Sequence, residues 1–138
     1  MNILKVLTAR RIHGNFGERA ALKYLKRQGY DILETNYVAE SGEVDIIAKD
    51  RDAVVFVEVK TRSYTDPSPT TARPAAAVTK EKQRRIIACA AEYGHSHYGL
   101  RRIRFDVIEV YTLESNGVRK VKDIKHITAA FDKSSANR

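Results

Sequence analysis

Asp45 and Glu58 are separated by twelve residues, and Lys60 follows two positions on. The residues around them read as two strands. Val44, Ile46 and Ala48 alternate with Glu43, Asp45 and Ile47, and Val55, Val57 and Val59 alternate with Phe56, Glu58 and Lys60. The break Asp50-Arg51-Asp52 is long enough only for a hairpin, so the strands are antiparallel neighbours. With Arg51 and Asp52 as the turn, Asp45 stands opposite Glu58, with Cβ atoms about 5 Å apart, where like charges repel. Lys60 points to the same face, and a divalent cation completes the neutralisation. The chain has 25 Lys and Arg against 17 Asp and Glu, a net charge of +8 and a pI near 9.7. That balance favours polyanionic partners, nucleic acid first, or else reflects a generally basic surface. Two carboxylates and a lysine on one strand face of such a chain fit metal-assisted phosphodiester hydrolysis. Asp45 and Glu58 hold Mg²⁺ or Mn²⁺, the carbonyl of Val59 adds an oxygen, and Lys60 orients the water or stabilises charge on the phosphoryl oxygens.

The remaining elements must position this group. Asn15 as N-cap, Ala21, Leu22 and Leu25 at helical spacing and Gly29 as stop predict a helix over 15–28. Glu18 falls on its apolar face. It is either the partner of Asn15 in a capping box or an inward carboxylate that holds a water or a second ion at the site. A strand over 30–39 precedes the hairpin. Residues 63–74 hold all three prolines and form a mobile loop, either a flap over the site or an ordinary crossover. A second helix runs from about Thr79, its N-cap, to His95, with Ile86 or Ile87, Ala90 and Tyr93 on one face. Lys80, Lys82, Arg84 and Arg85 crowd its first turns, against its dipole, and a phosphate there relieves the cost; a solvated basic face is the plainer account. Glu43, Arg62, Lys80, Lys82, Gln83 and Arg84 are therefore the candidate nucleic-acid contacts. Residues 104–111 and the Lys-rich 118–127 are the last strands, the latter at an edge. Arg104 and Asp106 read as a surface pair rather than an extension of the acidic site. His95-x-His97 has no further ligand near it and is structural.

One domain spans 1–138, with a core over about 14–128, a mobile arm at 1–12 and a disordered tail at 129–138. The single cysteine, Cys89, excludes a disulfide framework and a thiolate zinc site and fits a reduced, cytoplasmic compartment. The apolar run 3–7 is too short for a signal peptide, and no run approaches the ~20 residues of a membrane span.

Asp45, twelve residues and Glu58-x-Lys60 resemble the D…(D/E)-x-K pattern of the PD-(D/E)XK nuclease superfamily. The ordered set Gly17-Glu18, Ala21, Asn36, Gly42-Glu43-Val44-Asp45, Phe56 to Arg62, Val78-Thr79, Lys82-Gln83 and Arg104-Phe105-Asp106 is similar to the UPF0102 family over about residues 14–110. Val44 stands where the superfamily usually has proline. The inward Glu18 resembles a feature of archaeal Holliday-junction resolvases. The resemblance implies a restriction-endonuclease-like α/β fold, an α-β-β-β-α-β core whose mixed sheet is flanked by helices, with the site at a bent hairpin. It implies Glu18, Asp45, Glu58 and Lys60 as catalytic residues, Asp45, Glu58 and Val59 as metal ligands, and a Mg²⁺- or Mn²⁺-dependent endonuclease of branched or structured DNA. A homodimer follows by analogy with resolvases, which cut two strands symmetrically. The alternative is a nucleic-acid-binding accessory protein that keeps the pocket without turnover.

Overall fold

The computed structural model describes residues 16–65, 78–96 and 102–136, the side chains at 95–96 and 135–136 excepted. The elements are α1 (Phe16–Arg27), β1 (Asp31–Ala39), β2 (Gly42–Asp50), β3 (Ala53–Ser63), α2 (Lys80–Ser96), β4 (Arg102–Ser115), β5 (Val118–Phe131) and the short α3 (Lys133–Ala136). The strands form one mixed sheet in the order β1-β2-β3-β4-β5, with β3 and β4 parallel and every other pair antiparallel. This is the α/β architecture expected from the sequence, and it is consistent with a restriction-endonuclease-like core. A parallel pair needs a crossover, and the connection carrying α2 supplies it.

The hairpin forms as its pattern predicts. Asp50 pairs with Ala53, so Arg51 and Asp52 are the turn, and Arg51 adopts a positive φ of 57°. Alternation then sorts the side chains of β3. Val55 and Val57 join Ala21, Leu25, Ile46, Ile108 and Val110 beneath α1, whereas Val54 and Phe56 join Ile47, Ile86, Ala90, Tyr93 and Phe105 beneath α2. Val44 breaks the rule: it packs on the α2 side although Ile46 packs on the α1 side, so β2 bends at Asp45. Described pairing of β2 with β3 ends at the same place, at Ile46 opposite Val57.

The first helix carries its expected stop and the second its expected cap. The Tyr30 amide donates to the Leu25 carbonyl and the Gly29 amide to that of Lys26, with Gly29 at φ 90°, a Schellman closure that glycine permits. Thr79 Oγ1 accepts from the Lys82 amide at 3.1 Å and caps α2. Against expectation, β4 and β5 run beyond their predicted ends, and the predicted tail begins as strand. Ala130 and Phe131 are buried, and Phe131 stacks on Phe105 at 5.2 Å, an apolar contact worth more than the polar composition around it. In the predicted loop 63–74, Ser63 still belongs to β3 and the Tyr64 amide donates to the Thr112 carbonyl at 2.8 Å. Residues 66–74 of that loop, the arm 1–12, Asn15 and His97 lie outside the described residues.

Candidate functional site

The bend in β2 opens the sheet at Asp45. There the strand ladder stops, and the Asp45 side chain takes over: its Oδ2 accepts the Val59 amide at 2.8 Å. Val59 thus engages the site through its N–H. Glu58, on the same face of β3, is buried at 3 % exposure. It lies within hydrogen-bonding reach of Asp45, which donates to it when protonated. Burial, then the Glu58 charge and that hydrogen bond, push Asp45 up to about 6, while the Val59 amide and Lys82 act in the opposite sense.

Two lysines converge on one oxygen. Lys82 Nζ, from the first turn of α2, is 2.5 Å from Glu58 Oε1, and Lys60 Nζ is 3.7 Å from the same atom. Burial alone would lower Lys82; the Glu58 hydrogen bond and the charges of Glu58, Asp45 and Glu43 outweigh it and raise the ammonium above its ordinary value. Lys82, expected as a phosphate contact, is therefore the internal counter-ion of the carboxylates. A cleft of about 510 Å³ opens over the pair, bordered by Val38, Ala39, Gly42, Glu43, Asp45, Glu58, Lys82 and Arg85. The turn that leads into β2 is held from α2. Glu92 accepts from the Glu40 amide at 3.0 Å, the Ser41 amide at 3.2 Å and Ser41 Oγ at 2.5 Å.

The other predicted residues divide. Glu43 is exposed at the rim of the cleft, and Lys80 and Arg84 are exposed at the start of α2. Arg62 shares the strand face of Lys60, but its Nε is committed to the buried Glu109 at 2.7 Å. Gln83 is not a surface contact: it is 1 % exposed, and its amide donates to the Val78 carbonyl at 2.9 Å, fixing the start of α2. Glu18 is buried as predicted, but on α1, which covers the opposite face of the sheet. Its neighbour Gly17 packs so closely on β3 that a Cβ there would lie 1.9 Å from Thr61 Oγ1. Among the described residues no group of three or more His, Cys, Asp or Glu side chains is arranged to hold a metal ion, so Glu18 does not join Asp45 and Glu58 in such a group.

Arg104 and Asp106 do pair, but not at the surface. Asp106 is fully buried on the α1 side, where it accepts from Arg104 Nε and Nη2 at 2.9 Å each, from His126 Nε2 at 2.7 Å and from the Ala129 amide at 3.0 Å. The pattern Arg-x-Asp looked superficial because β5 and α1, which cover it, are distant in sequence.

Arg85, read only as one of the basic residues of the first turns, and Glu92 and Glu109, not singled out at all, were missing from the candidate site residues. For the first two a signal existed, since Lys82, Arg85, Cys89 and Glu92 recur at helical spacing and mark the stripe of α2 that faces the β1–β2 turn.

A family model described as "Uncharacterised protein family UPF0102" matches residues 17–110, which include every residue of this site. The chain belongs to that family. A UPF0102 protein of Clostridioides difficile (strain 630) is 44% identical over 119 residues, covering 86% of this chain and 95% of its own. One of Caldicellulosiruptor saccharolyticus is 43% identical over 115 residues, 82% of this chain and 93% of its own, and one of Herminiimonas arsenicoxydans 38% identical over 112 residues, 81% and 87%. The UPF0102 match stops at Val110, within β4 and before all of β5, so the cleft and the helix that covers it fall in the matched part. Among the described residues no helix is long and apolar enough to cross a membrane.

Proposed function

We propose that this UPF0102 chain is a divalent-metal-dependent endonuclease that hydrolyses phosphodiester bonds of branched or structured DNA, acting in the cytoplasm as a homodimer. The observation that carries the reading is the contact between Asp45 and Glu58 at the point where β2 leaves β3. Two carboxyls in contact, one of them held at about 6, are crowded negative charge beside an open cleft. Such a pair fits a hard, oxygen-seeking cation, and Mg²⁺ typically takes only one or two protein carboxylates and keeps waters in its other positions. Asp45 and Glu58, with the carbonyl of Val59, would hold Mg²⁺ or Mn²⁺. When bound, the ion supplies a water acidic enough to attack at neutral pH and screens charge on the phosphoryl oxygens.

The chain's own residues then have separate tasks. Lys60 lies one strand step beyond Glu58 and orients the scissile phosphate or the water toward it. Lys82 neutralises Glu58 in the metal-free protein and would be available to a phosphate oxygen where a cation takes over that charge. Arg85, Lys80 and Arg84 hold the flanking backbone, and the resemblance would give Glu18 a water-orienting role, which needs α1 to bring its carboxyl round from the other face of the sheet. The branch preference is drawn from the likeness of the inward Glu18 to the resolvases.

The test incubates junction, flap and duplex DNA with purified protein, with and without Mn²⁺, alongside Asp45→Ala and Lys60→Met. The expected result is Mn²⁺-dependent cleavage that falls at least ~10²-fold in both variants while DNA binding persists. Cleavage that survives Asp45→Ala would overturn the site. Binding without cleavage of any substrate would leave the non-catalytic accessory protein as the correct reading.

A further inference from the structure

A second cationic cleft lies on the other side of the sheet. Its first wall is the exposed face of α1. Arg19, Lys23, Lys26 and Arg27 are all exposed there, and the helix's only carboxylate, Glu18, is buried beneath. Like charges at positions 19, 23 and 27 repel by a few tenths of a kcal/mol per pair, and α1 itself has no exposed carboxylate to relieve them. The second wall comes from the β4–β5 hairpin through a bulge. Tyr111 pairs with Asp123 but Thr112 with Val121, so Lys122 is the extra residue and the strand's alternation inverts after it. The inversion turns Val121 and Arg119 toward α1. Arg119 places its guanidinium 5.5 Å from the centre of the Phe16 ring and its Nε 3.5 Å from Glu114. The resulting cleft, about 450 Å³, has Phe16, Ala20 and Val121 as its floor and Arg19, Lys23, Arg119 and Lys120 as its walls.

We infer that this cleft binds the phosphate backbone of a nucleic acid, as a second contact remote from the carboxylate pair. The inference rests on the nucleic-acid reading of the preceding section for the kind of polyanion. Cationic walls over an apolar floor are the arrangement that tracks a phosphate backbone, and the Phe16 ring holds the Arg119 guanidinium in the wall. An anionic membrane is the poorer complement: the apolar side of α1 is already buried on the sheet, so the element has no apolar face to insert. The chain's own residues 1–15 have three Lys or Arg and no carboxylate, so they do not match the cleft in charge. Because the cleft and the carboxylate site open on opposite faces of one sheet, they suit two segments of a nucleic acid that is bent or branched.

The experiment measures binding of fluorescent duplex and four-way-junction DNA in metal-free buffer as a function of salt. It compares wild type, the double variant Lys23→Gln/Arg119→Gln, and the control Lys49→Gln/Lys133→Gln, which removes the same charge at exposed positions elsewhere. If each cleft residue meets one phosphate, the slope of log K against log salt falls by about 2 and affinity by about tenfold or more in the cleft variant, with the control close to wild type. Equal loss in the control, or an unchanged slope in the cleft variant, would overturn the inference. So would cleft-dependent binding to phosphatidylserine/phosphatidylcholine vesicles in place of DNA. Melting with and without Mn²⁺, on the same preparations, separates the two proposals. A Mn²⁺ shift that is absent from wild type counts against the carboxylate site alone, and the same shift kept by the cleft variant shows that the substitutions leave that site and the fold intact.

Discussion

Two aspartates of one sheet, the half-buried Asp45 on β2 and the fully buried Asp106 on β4, are treated in opposite ways. Asp106 faces α1 and receives two Arg104 N–H groups, a His126 ring nitrogen and a backbone amide. Burial alone would raise it, but these partners hold its carboxyl below the ordinary range. Asp45 faces the α2 side with one backbone amide, a second carboxyl in contact and a lysine engaged mainly with its neighbour, and it is pushed up to about 6. The first arrangement is closed: it consumes the acceptor capacity of its carboxylate. The second keeps charge uncompensated at the edge of a cleft, which is a cost to the fold and the condition for binding a cation.

The largest effect expected from this difference is the loss of Asp106. Asp106→Ala leaves Arg104 and His126 without their buried partner and should lower stability by about 3–5 kcal/mol, read from urea melts. A loss below ~1 kcal/mol would break the contrast. Because the carboxyl of Asp106 is depressed, its contribution is present above the unfolded carboxylate range near pH 4 and disappears as pH falls through its folded value.

Asp45 should behave in the reverse sense. Its folded value near 6 lies above the ordinary 3.8, so its contribution is complete below pH 3.8 and is lost as pH rises through about 6. Asp45→Asn should therefore stabilise the metal-free protein at pH 7.5 by about 1–3 kcal/mol, and the gain should vanish near pH 4. A variant less stable than wild type at pH 7.5 would mean that the Val59 contact outweighs the repulsion. The smallest effect belongs to Lys82, whose side chain is 41% exposed. Lys82→Met should change stability by less than about 1 kcal/mol, but it should move the Asp45 midpoint above 6 in a carboxyl NMR titration.

Some of this was legible in the sequence and some was not, for physical reasons. The hairpin was readable because a period of two and a two-residue turn fix register locally, and register fixes which carboxylates share a face. α1 and its inward Glu18 were readable from helical spacing and the Gly29 stop. Lys82 was found as a cation but not as the partner of Glu58, since that contact depends on how α2 is rotated against the sheet. Gln83 looked like a surface polar residue, and its bond to the Val78 carbonyl, which holds it inside, leaves no mark in the sequence. Asp106 was misread because a strand is buried or exposed according to what lies beside it, and the strand beside β4 is β5, whose last residues had the composition of a tail.

The parallel pairing of β3 with β4 has a consequence for the order in which the molecule is assembled. β2 reaches β3 through a two-residue turn, whereas β4 reaches it only after the chain closes the span 64–101. Closure entropy grows with the logarithm of loop length, so the longer span costs about 2–3 kcal/mol more than the hairpin before any contact repays it. Contacts within the hairpin are local, and local contacts form on faster timescales. Asp45 and Glu58 are thus brought face to face while Lys82, on the far side of the slow step, is still solvated. The chain meets the repulsion of its acidic pair early and acquires the lysine that relieves it late.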